Sequence, residues 1–110
     1  MRKEKLDSRL QDLLENAESE DRPVEVIIEH YERPEGQSIV ELEADVLGKQ
    51  QGIMSQLRDM GVEEPLEHKI NIFSNSLVTQ LTRSQVDEIS ERSDVKSLRL
   101  SRMDNVEAEL

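Results

Sequence analysis

Few side chains of this sequence have the types and spacing that catalysis or metal binding requires. The two histidines, His30 and His68, lie far apart, and neither has a second histidine or a cysteine nearby. Cysteine is absent, which excludes disulfides, thiolate metal ligands and a cysteine nucleophile. Because a lone histidine in or beside a predicted strand is usually structural, we expect neither histidine to be catalytic or to bind a metal.

Acidic and hydroxyl side chains are numerous but do not form a known motif. Glu63 with Glu64, and Glu41 with Glu43, lack the spacing of a calcium loop, so we interpret them as solvated charge. No serine has a histidine and an acid at the spacing of a nucleophile motif, and there is no phosphate-binding glycine loop. The sequence therefore predicts a protein that is not an enzyme and has no cofactor.

The composition limits the possible partners. The 25 acidic and 14 basic residues give a formal net charge of −11. Phosphate binding needs a basic surface, so we expect no nucleic-acid partner. The acidity favours solubility, and a basic partner or a high-salt habitat are the alternatives. No apolar run is long enough for a signal peptide or a membrane span, so we expect a cytoplasmic protein, with secretion left open.

The N-terminal residues carry a short leucine stripe. Its members follow helical spacing: Leu6, Leu10, Leu13, Leu14 and Ala17. The stripe is too short for a coiled coil and packs either on its own domain or on a partner, including a second copy through residues 6–17. Residues 18–23 are polar, end in proline and predict a linker. We therefore divide the chain into an N-terminal helical extension with linker (1–22), a folded domain (23–102) and an extended C-terminal tail (103–110).

The domain has the pattern of alternating strands and helices. Strands are predicted at residues 24–31, 68–74, 77–81 and 95–101, and helices at 43–60 and directly after Thr82. Thr82 and Gln85 predict a capping box, Leu81 and Val86 a hydrophobic staple, and Gly61 the end of the first helix. This β-α-β-β-α-β order predicts an α+β fold with a ferredoxin-like antiparallel sheet, two helices on one side and an additional N-terminal helix.

Strand alternation leaves the other side of this sheet open. If Leu81 points toward the second helix, Val78 and Gln80 point away from it. The same reasoning places Phe73, Asn71, Ser97, Arg99 and Ser101 on the open side, and Ile70, Ile72, Leu98 and Leu100 in the core. Three interpretations of the open side remain. Its apolar residues are ordinary scattered surface residues, the N-terminal helix covers it, or it docks on a partner.

The second half of the sequence resembles the propeptides of subtilisin-like proteases, the inhibitor I9 family. Members typically read Leu-Thr-x-x-x-Val-x-x-Leu, a short turn, then Val-x-x-Val and an acidic segment. Here Leu81-Thr82 is followed by Val86 and Ile89, a turn at 92–94, and Val95 with Leu98. The match runs over residues 81–98 without a gap. The preceding strand and helix fit the family fold without a distinctive motif, and residues 1–22 lie outside the resemblance.

The resemblance implies a ferredoxin-like domain that acts as inhibitor, intramolecular chaperone or both for a subtilisin-like serine protease. In that family the open sheet side packs on two surface helices of the protease, and the C-terminal tail lies in the active-site cleft like a cleaved product. Carried over by position, the docking residues are Phe73, Val78, Gln80 and Arg99. The tail residues are Met103, Val106, Glu107, Ala108, Glu109 and the terminal Leu110.

Two positions depart from the family pattern. Acidic residues usually follow the Val-x-x-Val and can cap helix N-termini of the protease, whereas this chain has Arg99 and Ser101. The tail is also longer than is common, and Glu107 stands where an apolar residue is preferred. Two other functions remain as alternatives: an interaction or assembly domain that uses the leucine stripe, and a ligand-binding regulatory domain, for which only Gly36 offers a loop glycine.

Overall fold

The computed structural model of the chain describes residues 1–15, 22–63 and 65–101. Its helices are α1 (Ser8–Glu15), α2 (Ile39–Asp59) and α3 (Arg83–Ser90), and its strands are β1 (Val24–His30), β2 (Ile70–Asn71), β3 (Ser76–Leu81) and β4 (Val95–Leu100). The four strands form one antiparallel sheet in the order β2-β3-β1-β4. The predicted α+β class with a four-stranded antiparallel sheet is confirmed. No helix in the described ranges is long and apolar enough to cross a membrane.

The core lies on one side of the sheet. Val26 and Ile28 of β1 are fully buried, and the register aligns Ile28 with Leu77 of β3 and Leu98 of β4. Leucine, isoleucine, valine and methionine side chains of all three helices pack on these strand residues in one cluster. Burial of each large aliphatic side chain contributes about 1.5–3 kcal/mol, so this cluster is the main source of stability.

Helix α3 begins as the sequence predicts. The Thr82 hydroxyl accepts the Gln85 N–H at 3.4 Å, and the Gln85 side-chain oxygen accepts the Thr82 N–H at 2.9 Å. This capping box satisfies two N–H groups that no helical carbonyl can reach. Val86 and Ile89 then face the core with no exposed surface.

Helix α2 is longer than predicted at its N-terminal end. It begins at Ile39 rather than Glu43, and the Ser38 hydroxyl accepts the Glu41 N–H as its N-cap at 3.2 Å. Ile39 and Val40 are 63% and 78% exposed, so the first turn has no apolar face that periodicity could detect. The predicted start was therefore wrong by one turn.

The C-terminal end of α2 is a Schellman motif. The Val62 N–H donates to the Leu57 carbonyl and the Gly61 N–H donates to the Arg58 carbonyl, both at 3.0 Å. Gly61 has a φ of 96°, which a glycine adopts without steric cost. The helix ends at Asp59, and the predicted role of Gly61 is confirmed.

Strand β2 is much shorter than predicted, and the predicted range 68–74 was wrong. Leu66–Lys69 forms a 3₁₀ turn instead, and β2 contains only Ile70–Asn71. The Asn71 side-chain oxygen accepts the N–H groups of Phe73 and Ser74 at 2.9 and 3.3 Å, which turns the chain and ends the strand. Phe73 therefore lies in the β2–β3 turn, 71% exposed, and not on a strand of the sheet.

The other strands end within one residue of their predicted bounds. β1 ends at His30, β3 begins at Ser76 and β4 ends at Leu100. Asn75, which precedes β3, has a φ of 49° and is fully buried. Asparagine tolerates this left-handed conformation better than most residues do, which explains its use in this turn.

The N-terminal segment packs on its own domain. Leu6 forms a parallel bridge with Leu98 of β4, and the Asp7 N–H donates to the Leu98 carbonyl at 3.1 Å. The Asp7 carboxylate caps α1 by accepting the Leu10 N–H at 2.8 Å. The Arg2 N–H donates to the Ser90 hydroxyl at 3.0 Å, which places this segment beside α3, on the helix side of the sheet.

Only part of the predicted leucine stripe is buried. Leu6, Leu10 and Leu14 belong to the core, whereas Leu13 is 39% exposed. Leu6 precedes the helix instead of lying on it, and Ala17 lies outside the described residues. Of the two alternatives left open by the sequence, packing on the domain is the one that the structure contains.

The side chain of Arg92 joins α2 to the turn before β4. Its guanidinium donates to both Asp94 carboxylate oxygens at 2.8 and 2.9 Å and to the Gln56 side-chain oxygen at 2.7 Å. The Lys5 ammonium donates to the Arg92 carbonyl at 2.6 Å. Gly52 provides the space for this arrangement, because a Cβ at this position would lie 2.6 Å from an Arg92 nitrogen.

We predict that Leu10→Ala lowers the free energy of unfolding by about 2–5 kcal/mol, because it leaves a cavity in the core. Leu13→Ala, the matched control on the same helix, is expected to change it by less than about 0.5 kcal/mol. Chemical denaturation followed by circular dichroism measures both values. Equal effects of the two substitutions would contradict the packing of α1 on the domain.

The two glycines inside α2 should respond differently to alanine. A Cβ at Gly48 meets nothing within 4 Å, so Gly48→Ala should stabilise by about 1 kcal/mol through helix propensity. Gly52→Ala displaces Arg92 and should be less stable than Gly48→Ala by about 1 kcal/mol or more, the typical net contribution of a lost hydrogen bond. Thermal and chemical denaturation of both variants test this. Equal stabilisation would mean that Arg92 moves without cost.

Candidate functional site: the open sheet face

The side of the sheet opposite α2 and α3, called the open face below, presents side chains of β1, β3 and β4. The register aligns Ile27 of β1 with Val78 of β3 on one side and Arg99 of β4 on the other. Ile27 and Val78 are half-buried, while Gln80 and Arg99 are exposed. No described helix packs on this side, so the centre of the face is an apolar pair that water reaches.

Two carboxylates stand on either side of this apolar pair along β1. The Ser97 hydroxyl donates to a Glu29 carboxylate oxygen at 2.9 Å, and the Ser101 hydroxyl donates to a Glu25 carboxylate oxygen at 3.2 Å. Strand rise places the two glutamates about 13 Å apart. Because a carboxylate accepts about four hydrogen bonds, each one retains capacity for donors from outside the domain.

The predicted docking residues are only partly brought together. Val78, Gln80 and Arg99 lie on the open face, and Phe73 lies in the exposed β2–β3 turn instead. The predicted tail residues, Met103, Val106, Glu107, Ala108, Glu109 and Leu110, lie outside the described residues.

Sequence reasoning missed three residues of the open face: Glu25, Ile27 and Glu29. The signal was present, because the inward placement of Val24, Val26 and Ile28 forces the intervening residues outward. The hydrogen bonds from Ser97 and Ser101 had no such signal, since they join strands that are distant in the sequence.

A second concave region, the sheet-end cleft, lies on the helix side where β1 ends. Its volume is about 400 Å³, and it is lined by His30, Tyr31, Glu32, Lys49, Ser93 and Asp94. Arg92 holds the pKa of Asp94 below its ordinary value through the paired hydrogen bonds between them. The Lys49 ammonium lies 2.8 Å from an Asp45 oxygen, which raises the pKa of Lys49 and lowers that of Asp45.

Two buried amides stand behind the wall of this cleft. The Gln50 side-chain nitrogen donates to the carbonyl and to the side-chain oxygen of Asn75, at 3.1 and 3.0 Å. The Asn75 carbonyl also accepts the His30 N–H at 2.9 Å. The Gln50 side-chain oxygen is fully buried and has no partner among the described residues. Buried acceptors of this kind are uncommon in folded proteins.

Comparisons with known proteins do not assign a family. A scan against protein-family models, a search of curated proteins and a search of solved structures each returned no match. Within residues 1–15, 22–63 and 65–101, no group of three or more His, Cys, Asp or Glu side chains is placed to hold a metal ion. The arrangement of the open face is suited to binding a protein surface, with an apolar centre and flanking acceptors.

We predict that Asp94→Asn lowers the free energy of unfolding at neutral pH by about 1–2 kcal/mol, the contribution of hydrogen bonds to a charged partner. Because the folded-state pKa of Asp94 is lowered, its stabilisation is fully present above the unfolded value of about 3.9 and is lost as the pH falls through the folded value. The difference between wild type and variant should therefore shrink below about pH 4.

Denaturation curves at a series of pH values measure this difference. Glu43→Gln removes an exposed carboxylate from α2 and is the matched control, with an expected change below about 0.5 kcal/mol. A gap between wild type and Asp94→Asn that stays constant at acidic pH would exclude the Arg92 pairing as its cause.

Proposed function

We propose that the chain is a protease-binding module that resembles a subtilase propeptide and acts as inhibitor, folding chaperone or both for a subtilisin-like serine protease. The observation that carries the proposal is the open face, where Ile27 and Val78 remain accessible although every described helix packs on the other side. The resemblance implies a ferredoxin-like arrangement. The β-α-β-β-α-β order from β1 to β4 along the chain and the strand order β2-β3-β1-β4 in the sheet support it.

The chemistry of the open face favours a partner that brings hydrogen-bond donors. Docking would remove Ile27 and Val78 from water, which favours association. It would also remove water from Glu25 and Glu29, and a buried carboxylate is costly unless donors replace its hydration. Helix N-termini on the partner are suitable donors, because their first N–H groups have no partner within the helix.

This proposal accounts for one departure from the family pattern. The usually acidic positions after the Val-x-x-Val are Arg99 and Ser101 here. Arg99 reverses the charge, and the Ser101 hydroxyl donates to Glu25 on the neighbouring strand. The carboxylate therefore comes from β1 instead of β4, at almost the same place on the face. We propose that Glu25 and Glu29 take over the role of those acidic residues, with Val78, Gln80 and Arg99 around them.

The C-terminal tail is the second part of the proposed mechanism. Residues 103–110 follow β4, whose end is fixed when the Ser101 N–H donates to the Glu25 carbonyl at 3.0 Å. A tail leaving this point would extend beyond the open face and occupy the substrate cleft of the protease, with main-chain hydrogen bonds providing affinity. Leu110 would then be the product-like terminal residue. Phe73 in the β2–β3 turn contributes at the rim.

The alternative is an interaction or assembly domain that uses residues 6–17. The burial of Leu6, Leu10 and Leu14 leaves only Leu13 of the described leucines for a partner, so this function has less support. Deleting α1 would not separate the two functions, because the deletion also removes part of the core. Substitution of Leu13 tests the alternative without this complication.

We predict that the purified chain inhibits at least one member of a panel of subtilisin-like proteases. Truncation after Arg102 should raise the inhibition constant by about tenfold or more, because the tail contacts are lost. The double variant Glu25→Gln with Glu29→Gln should raise it by a similar factor, because donors of the partner then lose their charged acceptors. Both changes leave the core untouched.

Glu88→Gln is the matched control, since it removes an exposed carboxylate from α3 on the opposite side of the sheet. It should leave the inhibition constant unchanged. Inhibition that depends on the tail alone would restrict the mechanism to the substrate cleft of the protease. Inhibition that depends on the two glutamates alone would restrict it to the open face. Cleavage of the chain by every protease, without inhibition, would overturn the proposal.

A further inference from the structure

The sheet-end cleft plays no part in the function proposed above. It opens on the helix side of the sheet, between α2 and the turn before β4, and not on the open face. Its lining residues are of mixed chemistry, with an imidazole, a phenol, a hydroxyl, an ammonium and two carboxylates.

The wall of the cleft is unusually well fixed for a segment that follows a strand. The Tyr31 N–H donates to the Asp94 carbonyl at 2.8 Å, and the Glu32 N–H donates to His30 Nδ1 at 2.9 Å. The Glu32 carbonyl accepts from the Asn75 side chain at 2.8 Å. The Lys49 ammonium donates to the Arg33 carbonyl at 2.9 Å. A wall held in this way loses little conformational entropy when a ligand binds.

Asn75 joins the two ends of this wall. Asn75 is buried in the left-handed region and holds both His30 and Glu32 in place. Gln50 of α2, which is fully buried, donates to Asn75 and supports this wall from the helix side.

The charges around the cleft favour a cation. Asp94 is paired with Arg92, and Lys49 is paired with Asp45, so both pairs are neutral. Glu32 and Glu35 are close enough to Lys49 to raise its pKa and have no ion pair of their own within the described ranges. Arg33, which lies between them, offsets one of these two charges, so residues 32–35 carry a net charge of −1. The formal charge of −11 also attracts cations to the surface as a whole.

The shape and chemistry of the cleft favour a guanidinium group over an ammonium group. Tyr31, the only tyrosine of the chain, is 69% exposed, and it lines the cleft together with Glu32. A guanidinium can stack on an aromatic ring and bind a carboxylate with two parallel hydrogen bonds, which an ammonium cannot do. Because Nδ1 of His30 accepts an N–H, its proton lies on Nε2, which can donate to a carbonyl.

We propose that the sheet-end cleft binds an arginine side chain presented by a partner protein. Glu32 serves as the counter-ion, Tyr31 as the stacking surface, and His30 Nε2–H as the donor to a main-chain carbonyl of the same segment. The need for both a cation and a carbonyl acceptor assigns the arginine to a peptide chain and not to a free small cation.

The test is an NMR titration of the intact ¹⁵N-labelled chain with the capped peptide Gly-Arg-Gly. The amide signals of Tyr31, Glu32 and Asp94 should shift in a saturable way, with a Kd on the order of 1 mM for so small a ligand. The peptide with citrulline, an uncharged isostere of arginine, should bind about tenfold more weakly, and the lysine peptide should also bind more weakly. The spectra themselves report whether each variant is folded.

Matched variants distinguish binding at the cleft from non-specific attraction by the net negative charge of the chain. Glu32→Gln should weaken binding of the arginine peptide about tenfold, and Tyr31→Leu several-fold. Glu88→Gln on α3 should have no effect. Equal weakening by Glu88→Gln, or equal binding of the citrulline peptide, would overturn the site. Free arginine that binds as tightly as the peptide would overturn the assignment to a protein partner. None of these outcomes depends on protease inhibition.

Discussion

One-sided burial of the central strand β1 is the constraint on which the rest of the structure depends. β1 is bonded to β3 and β4, and its inward residues Val26 and Ile28 have no exposed surface. Because successive residues point to opposite sides, this burial forces Glu25, Ile27 and Glu29 outward. A slip by one residue would place two carboxylates in the core, at a cost that excludes it. The core therefore determines which side chains the open face presents.

The parts of the fold that local chemistry determines could be predicted from the sequence. The capping box at Thr82 and the glycine at position 61 satisfy backbone groups of the same helix, so a few adjacent residues contain all the information. The start of α2 was missed although Ser38 and Glu41 have capping-box spacing, because the exposed Ile39 offered no apolar periodicity. The end of β2 depends on the Asn71 side chain, which alternation does not detect.

Features that depend on contacts between distant residues could not be predicted. The leucines of α1 have the same pattern whether they cover the domain or a partner. Only tertiary contacts distinguish the two, namely the burial of Leu10 and Leu14 and the bridge between Leu6 and Leu98. The site is similar in this respect. Alternation could have placed Glu25 on the open face. Its hydrogen bond with Ser101, however, joins two residues that are 76 positions apart in the sequence. The cleft at the sheet end depends on the Gln50–Asn75 pair, whose members come from α2 and a turn.

If the open face docks on a partner as proposed, the serine hydroxyls explain how an acidic domain can be specific. A net charge of −11 accelerates encounter with any basic surface and does not choose among partners. Ser97 and Ser101 hold two carboxylates at a fixed spacing beside an apolar pair, so a partner must present donors at that spacing around an apolar patch. A surface that lacks such donors leaves charge unpaired on docking and is rejected. On the proposed function, specificity would thus follow from the orientation of the glutamates by β4, and not from the amount of charge.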